Sequence, residues 1–124
     1  MEITVGISLG EAADRLSILQ VKALRIVEEP KRLVVERDQN RLFSVLREEI
    51  VDDRFVPEFW QAVGRLHGVN LRLWDVLAQQ RDSGGDVFVS LSRDVMTLND
   101  ERYQIKHALD DAFGADFSEQ KEYR

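Results

Sequence analysis

The chain contains no cysteine, which excludes disulfides, thiolate metal sites and cysteine nucleophiles. Its two histidines, His67 and His107, are too few for a histidine-rich metal site, and neither stands at a motif spacing from a serine or an acid. A nucleophile elbow, a Walker loop and a Rossmann glycine pattern are all missing. The single glycine-rich piece, Ser83-Gly84-Gly85, has the form of a turn. No apolar run approaches the ~20 residues of a membrane span. The N-terminus also lacks the basic start and apolar core of a signal peptide, so a cytoplasmic location is expected. Strands with clean alternation are scarce.

What remains is a balanced composition. Hydrophobic residues make up 44% and charged residues 32% of 124 positions, a globular balance. The length suits one domain, 1–124, with a single core. A net charge of −6 argues against direct nucleic-acid binding, which depends on basic patches. Its plain consequence is solubility.

Residues 3–7 read as a short strand or an extended lead-in. Ser8-Leu9-Gly10-Glu11 has the form of a capping box, with Ser8 and Glu11 each bonding the other's amide. A first helix is expected over 9–28, stopped by Pro30. Its apolar residues occupy more than one face, which places it centrally among several neighbours. A second helix begins near Pro30, in the first turn that proline favours. Residues 51–57 form a turn into a third helix over 57–81, where Phe59, Val63, Leu66, Leu73 and Leu77 share a stripe. Gly64 and Gly68 on one side of it would allow a close helix approach. Asp82-Ser83-Gly84-Gly85-Asp86 is the clearest breaker. Asp86 is the expected N-cap of a fourth helix reaching 113, with Gly114 as its C-terminal cap. The apolar stripe of that helix runs through Phe88, Leu91, Val95, Leu98, Ile105, Leu109 and Phe113. The tail, 115–124, is polar. The predicted fold is all-α: an antiparallel bundle of four main helices with a short extended N-terminus and a polar C-terminal tail.

Two stripes are interrupted by polar residues. Asn70 lies in the middle of the third helix's stripe, with Trp74 beside it. Asn99 and Arg102 lie in the fourth, with Lys106 close by. A cluster of Asn70, Asn99 and Arg102 is expected, with Asp14, Lys22, Asp100 and Lys106 as neighbours. A buried guanidinium needs a carboxylate or a route to solvent. The first reading is a network that fixes helix register, as a core asparagine does in coiled coils. An anion site at Arg102 and Lys106 comes second, and side chains reaching water at the stripe's edge third.

Glu48, Glu49, Asp52 and Asp53 form the densest acidic cluster. Their spacing is the kind that all-helical, Mg²⁺-dependent nucleotide pyrophosphatases use, with Asp94 and Asp100 as opposing acids. A solvated charged end is the preferred reading, because Asp52 and Asp53 fall in the expected turn. Trp60, Trp74 and Tyr103 suggest a stacking platform, but aromatics at helical spacing usually serve a core or an interface.

These residues together resemble an uncharacterised family of small helical proteins, found mainly in bacteria and classed as a domain of unknown function. The opening motif is matched by Gly10-Glu11, Asp14, Ile18-Leu19 and Lys22, with Arg15 in place of a lysine and Val21 of an isoleucine. The middle motif is matched by Asn70, Leu73-Trp74 and Asp75, the last by Asn99-Asp100, Arg102 and Lys106. The tail is matched by Glu119, Lys121 and Tyr123. The chain departs from the pattern at Leu77-Ala78, where a Glu-Asp pair is usual, and at Asp110, where an asparagine is. The resemblance implies a helical fold and no activity. The expectation for function is an interaction or accessory protein that binds a protein partner or itself, as a homodimer, with no cofactor. The alternatives are a Mg²⁺-dependent nucleotide-processing enzyme and an acidic inhibitor or nucleic-acid mimic that binds a basic protein.

Overall fold

A computed structural model describes residues 1–113. It is all-α: helices α1 (Leu9–Arg25), α2 (Glu29–Glu49), α3 (Val56–Arg81) and α4 (Gly85–Ala112) form a helical bundle. Residues 1–8 precede α1 without helix or strand. No described helix is long and apolar enough to cross a membrane. The expected cap at Gly114 and the tail with Glu119, Lys121 and Tyr123 lie outside the described residues.

Each helix begins and ends for a local reason. The Ser8 hydroxyl accepts from the Glu11 amide at 3.1 Å, so half of the capping box forms. The other half does not, because the Glu11 carboxylate is drawn to Lys106 and Arg15 instead. Lys22 and Arg25 in the last turn of α1 suit the negative end of the helix dipole. α1 ends at Arg25, three residues short of the expected 28. Pro30 already lies in the first turn of α2, so 26–28 are left to link the two helices. Asp52 organises the next turn, its carboxylate accepting from the Arg54 amide at 3.0 Å.

Asp86 is not the N-cap of α4. Gly84 takes that position, and Gly85 follows with φ 61°, a left-handed conformation that glycine adopts without strain. Asp86 sits in the first turn, where its charge still favours the positive helix end.

α1 is the hub. It packs against all three other helices, and α3 also packs on α4. Leu16, Phe59 and Leu66 are fully buried at the centre, joined by Ala13, Val63, Leu98, Ile105 and Leu109. α2 leans chiefly on α1 and meets α3 where the Phe43 and Trp60 rings lie 5.3 Å apart. With 26 and 28 residues, α3 and α4 are about 39 and 42 Å long, whereas the 17 residues of α1 span about 26 Å. Both α3 and α4 therefore extend beyond α1. That explains why Leu77 and Phe88, expected in core stripes, are exposed.

Gly64 and Gly68 do not mark a close approach, since a methyl at either would meet nothing within 4 Å. The tight contact is at Gly10. A β-carbon there would lie 2.5 Å from the Lys106 carbonyl oxygen.

Candidate functional site: a polar layer shared by three helices

The polar cluster centres on α1 rather than on the α3–α4 seam. Asp14 is fully buried and faces donors from two other helices. Its Oδ1 accepts from Arg102 Nε at 2.9 Å and Asn70 Nδ2 at 3.0 Å. Its Oδ2 accepts from Arg102 Nη2 and lies 3.4 Å from Lys106 Nζ. An ionised carboxylate has about four lone-pair sites, and here each has a cation or an amide against it. Asn70 also donates to Ser17 Oγ at 2.8 Å. The Ser17 hydroxyl in turn donates to the Asp14 carbonyl at 2.7 Å.

A second ring surrounds the first. Lys106 Nζ lies 2.8 Å from Glu11 Oε2, and Glu11 also accepts from Arg15 Nε at 3.3 Å. Asp110 Oδ1 accepts from the Gly10 amide at 2.7 Å. That bond satisfies an orphan N–H of the first turn of α1 from a different helix. Among the described residues, every buried side-chain nitrogen and oxygen has a hydrogen-bond partner.

The electrostatics follow from this arrangement. Burial pushes the Asp14 carboxyl up, but hydrogen bonds from Arg102 and Asn70, with the charges of Arg102 and Lys106, hold it below the ordinary carboxylate value. Glu11 is lowered by the Lys106 hydrogen bond, opposed by partial burial and helped by Arg15. Arg102 is raised by its bond to Asp14, against desolvation. Asp14, Glu11 and Arg102 are thus each held in the charged form by their neighbours.

Of the residues singled out in the sequence, Asp14, Asn70, Arg102 and Lys106 meet here. Asn99 and Asp100 do not, and both are exposed. Asn99 shares a helix side with Lys106, seven residues on, yet lies about 10 Å further along α4 and takes no part in the network. Lys22 is half-buried two turns further along α1 than Asp14. Trp74 is half-buried and lies one turn beyond Asn70 on α3.

Gly10, Glu11, Ser17 and Asp110 join the cluster without having been singled out as members. A signal for Glu11 existed: Glu11 and Asp14 are spaced three apart on α1, matching Arg102 and Lys106 four apart on α4. Asp110 departs from the family pattern, yet its Oδ1 fills an acceptor role that an asparagine oxygen would also fill.

The acidic candidates do not converge. Glu48 and Glu49 are exposed at the end of α2, and Asp53 is exposed in the turn. The Asp52 carboxylate is clasped by Arg54, with Nη2 at 2.8 Å, and that bond lowers its pKa to about 2. Among the described residues, no group of three or more His, Asp or Glu side chains is arranged to hold a metal ion. The aromatic residues are dispersed as well. Trp60 packs between Phe43 and Phe59, whereas Tyr103 stands exposed on α4.

Comparisons with protein-family models, curated proteins and solved structures find no match. A groove of about 400 Å³ runs along α3 and α4, lined by Arg72, Asp75, Asp94 and Glu101 among others, and it does not include the polar layer. The layer itself has its donors and acceptors engaged with one another. It can fix the rotation and height of α1 against α3 and α4, because a slip of one residue on any of them would strand a buried charge.

Proposed function

We propose that this chain is a non-catalytic helical module that works by self-association, and that the Asp14 layer is its internal clamp. The observation that carries the reading is a division of labour. Polar groups where the motifs converge are spent on one another, while large apolar side chains stand on outward surfaces. Leu33, Val34 and Val45 are exposed on α2, and Val89, Met96 and Tyr103 on α4. Apolar groups gathered on helix faces in this way favour contact with another surface.

Membership of the small helical family belongs to the same proposal. Its support is that Gly10, Glu11, Asp14, Asn70, Arg102 and Lys106, quoted from three separated motifs, lie together. An antiparallel course for α4 against α1 and α3 is likewise part of the reading. It is supported by the pairs Gly10–Asp110 and Asp14–Arg102 on one side and Arg72–Glu101 and Gln80–Ser92 on the other. We assign the module to the cytoplasm on its cysteine-free composition.

Light scattering coupled to size exclusion, run from low to high micromolar chain, tests the function. A mass that rises to twice the monomer is expected. A monomer across the whole range overturns the reading.

A further inference from the structure

α4 turns one stripe of residues straight away from the core. Its buried positions are Leu98, Ile105 and Leu109. At 3.6 residues per turn, the opposite side carries Val89, Arg93, Met96, Asp100, Tyr103 and His107, all of them exposed. Three members are apolar or aromatic and recur every seven residues: Val89 is 49%, Met96 68% and Tyr103 65% exposed. The Tyr103 ring also lies flat on the His107 imidazole, with centroids 5.6 Å apart and planes 8° from parallel. The pair makes a broad plate on the outside of the bundle.

We infer that this stripe is the face on which a second copy of the chain docks, α4 against α4 in antiparallel sense, with Met96 on the two-fold axis. This deepens the self-association reading above and rests on it. The argument is the symmetry of the stripe about Met96. Val89 stands seven residues before it and Tyr103 seven after, so each Val89 covers the partner's Tyr103. Arg93 stands three residues before it and Asp100 four after, so each arginine faces the partner's Asp100. A parallel pair would set Arg93 against the partner's Arg93 and Asp100 against the partner's Asp100. Like charges so placed disfavour docking, and the charge order therefore selects the antiparallel sense.

The composition suits the role, since Tyr, Met and Arg are enriched at protein interfaces. From Val89 to Tyr103 the contact is about 21 Å long at 1.5 Å per residue. The outward side of α2 is more mixed. Opposite its buried edge, Leu33 stands among Arg37, Arg41, Ser44 and Glu48, all exposed, and no apolar side chain recurs there every seven residues.

The absence of cysteine makes the test direct. In the antiparallel pair, Met96→Cys brings one thiol against its own copy, and mild oxidation yields a covalent dimer on non-reducing electrophoresis. Ser44→Cys, on α2, stays monomeric under the same oxidation. Light scattering reads the charge order. Arg93→Asp and Asp100→Arg each weaken dimerisation about tenfold, and the double exchange restores it to within about threefold. Circular dichroism stays unchanged in every variant, because each position is exposed. Wild-type dimers without a Met96→Cys cross-link, or single charge variants that dimerise as well as wild type, overturn this face and leave self-association standing. A wild-type chain that is monomeric throughout overturns the self-association reading itself, and this inference with it.

Discussion

α1 and α2 are adjacent in sequence and pack on each other, yet they are held in different ways. α1 buries Gly10, Ala12, Ala13, Asp14, Leu16, Ser17 and Val21 within 17 residues. α2 is longer, at 21 residues, and buries only Leu46 fully. The shorter helix uses small residues to let neighbours approach, then fixes them with a charged side chain and a hydroxyl. The longer one packs Leu42 and Leu46 against the core, sets the Phe43 ring against Trp60 and leaves most of its length to solvent. Burial of an amphipathic face supplies most helix stability in proteins, so α2 depends on α1 far more than α1 depends on α2. A helix's importance to the fold is set here by how many neighbours it touches, not by its length.

That contrast can be broken most severely at Arg102. Arg102→Leu leaves the buried Asp14 carboxylate without its two-pronged partner, and should cost about 3–5 kcal/mol of unfolding free energy in urea. A loss below about 1 kcal/mol would mean that the layer does not clamp the bundle. Next comes Asp14→Asn, which keeps the shape and removes the charge, at about 1.5–3 kcal/mol near neutral pH.

The same variant carries a pH signature. Asp14 and Glu11 titrate below their ordinary values in the folded chain, so as pH falls the unfolded chain takes up protons first. Their stabilisation is complete above about pH 5 and is lost as pH drops through the unfolded-state and then the folded-state values. Urea melts at neutral and acid pH should show a smaller acid loss in Asp14→Asn than in wild type. Equal acid losses would place the sensitivity elsewhere.

Gly10→Ala is expected to cost about 1–3 kcal/mol, because the added carbon meets the rigid α4 backbone rather than a yielding side chain. The smallest effect belongs to α2. Val34→Ser, on its exposed flank, should shift the urea midpoint by no more than about 0.5 kcal/mol equivalent. A larger shift would show that α2 is held by more than its contact edge.

These positions also show what a sequence reveals. The helices were legible because apolar spacing, Pro30, Pro57 and the Ser83-Gly84-Gly85 breaker are local signals. Asn70 and Arg102 were legible as polar residues in apolar stripes. Asn99 shares their apolar stripe and Lys106's helix side, yet it is exposed, because only the neighbouring helix decides which positions along a side are covered. Gly10, Ser17 and Asp110 carried no local mark, because their roles depend on backbone from another helix. Gly64 and Gly68 looked like contact glycines and are not, since only the neighbouring chain decides whether a missing β-carbon matters.

The Gly10–Asp110 bond has a consequence for how the molecule is made. It joins residues 100 positions apart, and the Asp14–Arg102 bonds span 88. A chain synthesised from its N-terminus exposes α1 long before the end of α4 exists. During that interval Asp14 is an ordinary hydrated acid, and the central helix has nothing to be central to. α1 can coil and rest against α2 early, but its register is decided only when residues 102–110 arrive. The first helix to be built is therefore among the last to be locked, and closing so long a loop is the slow kind of step in folding.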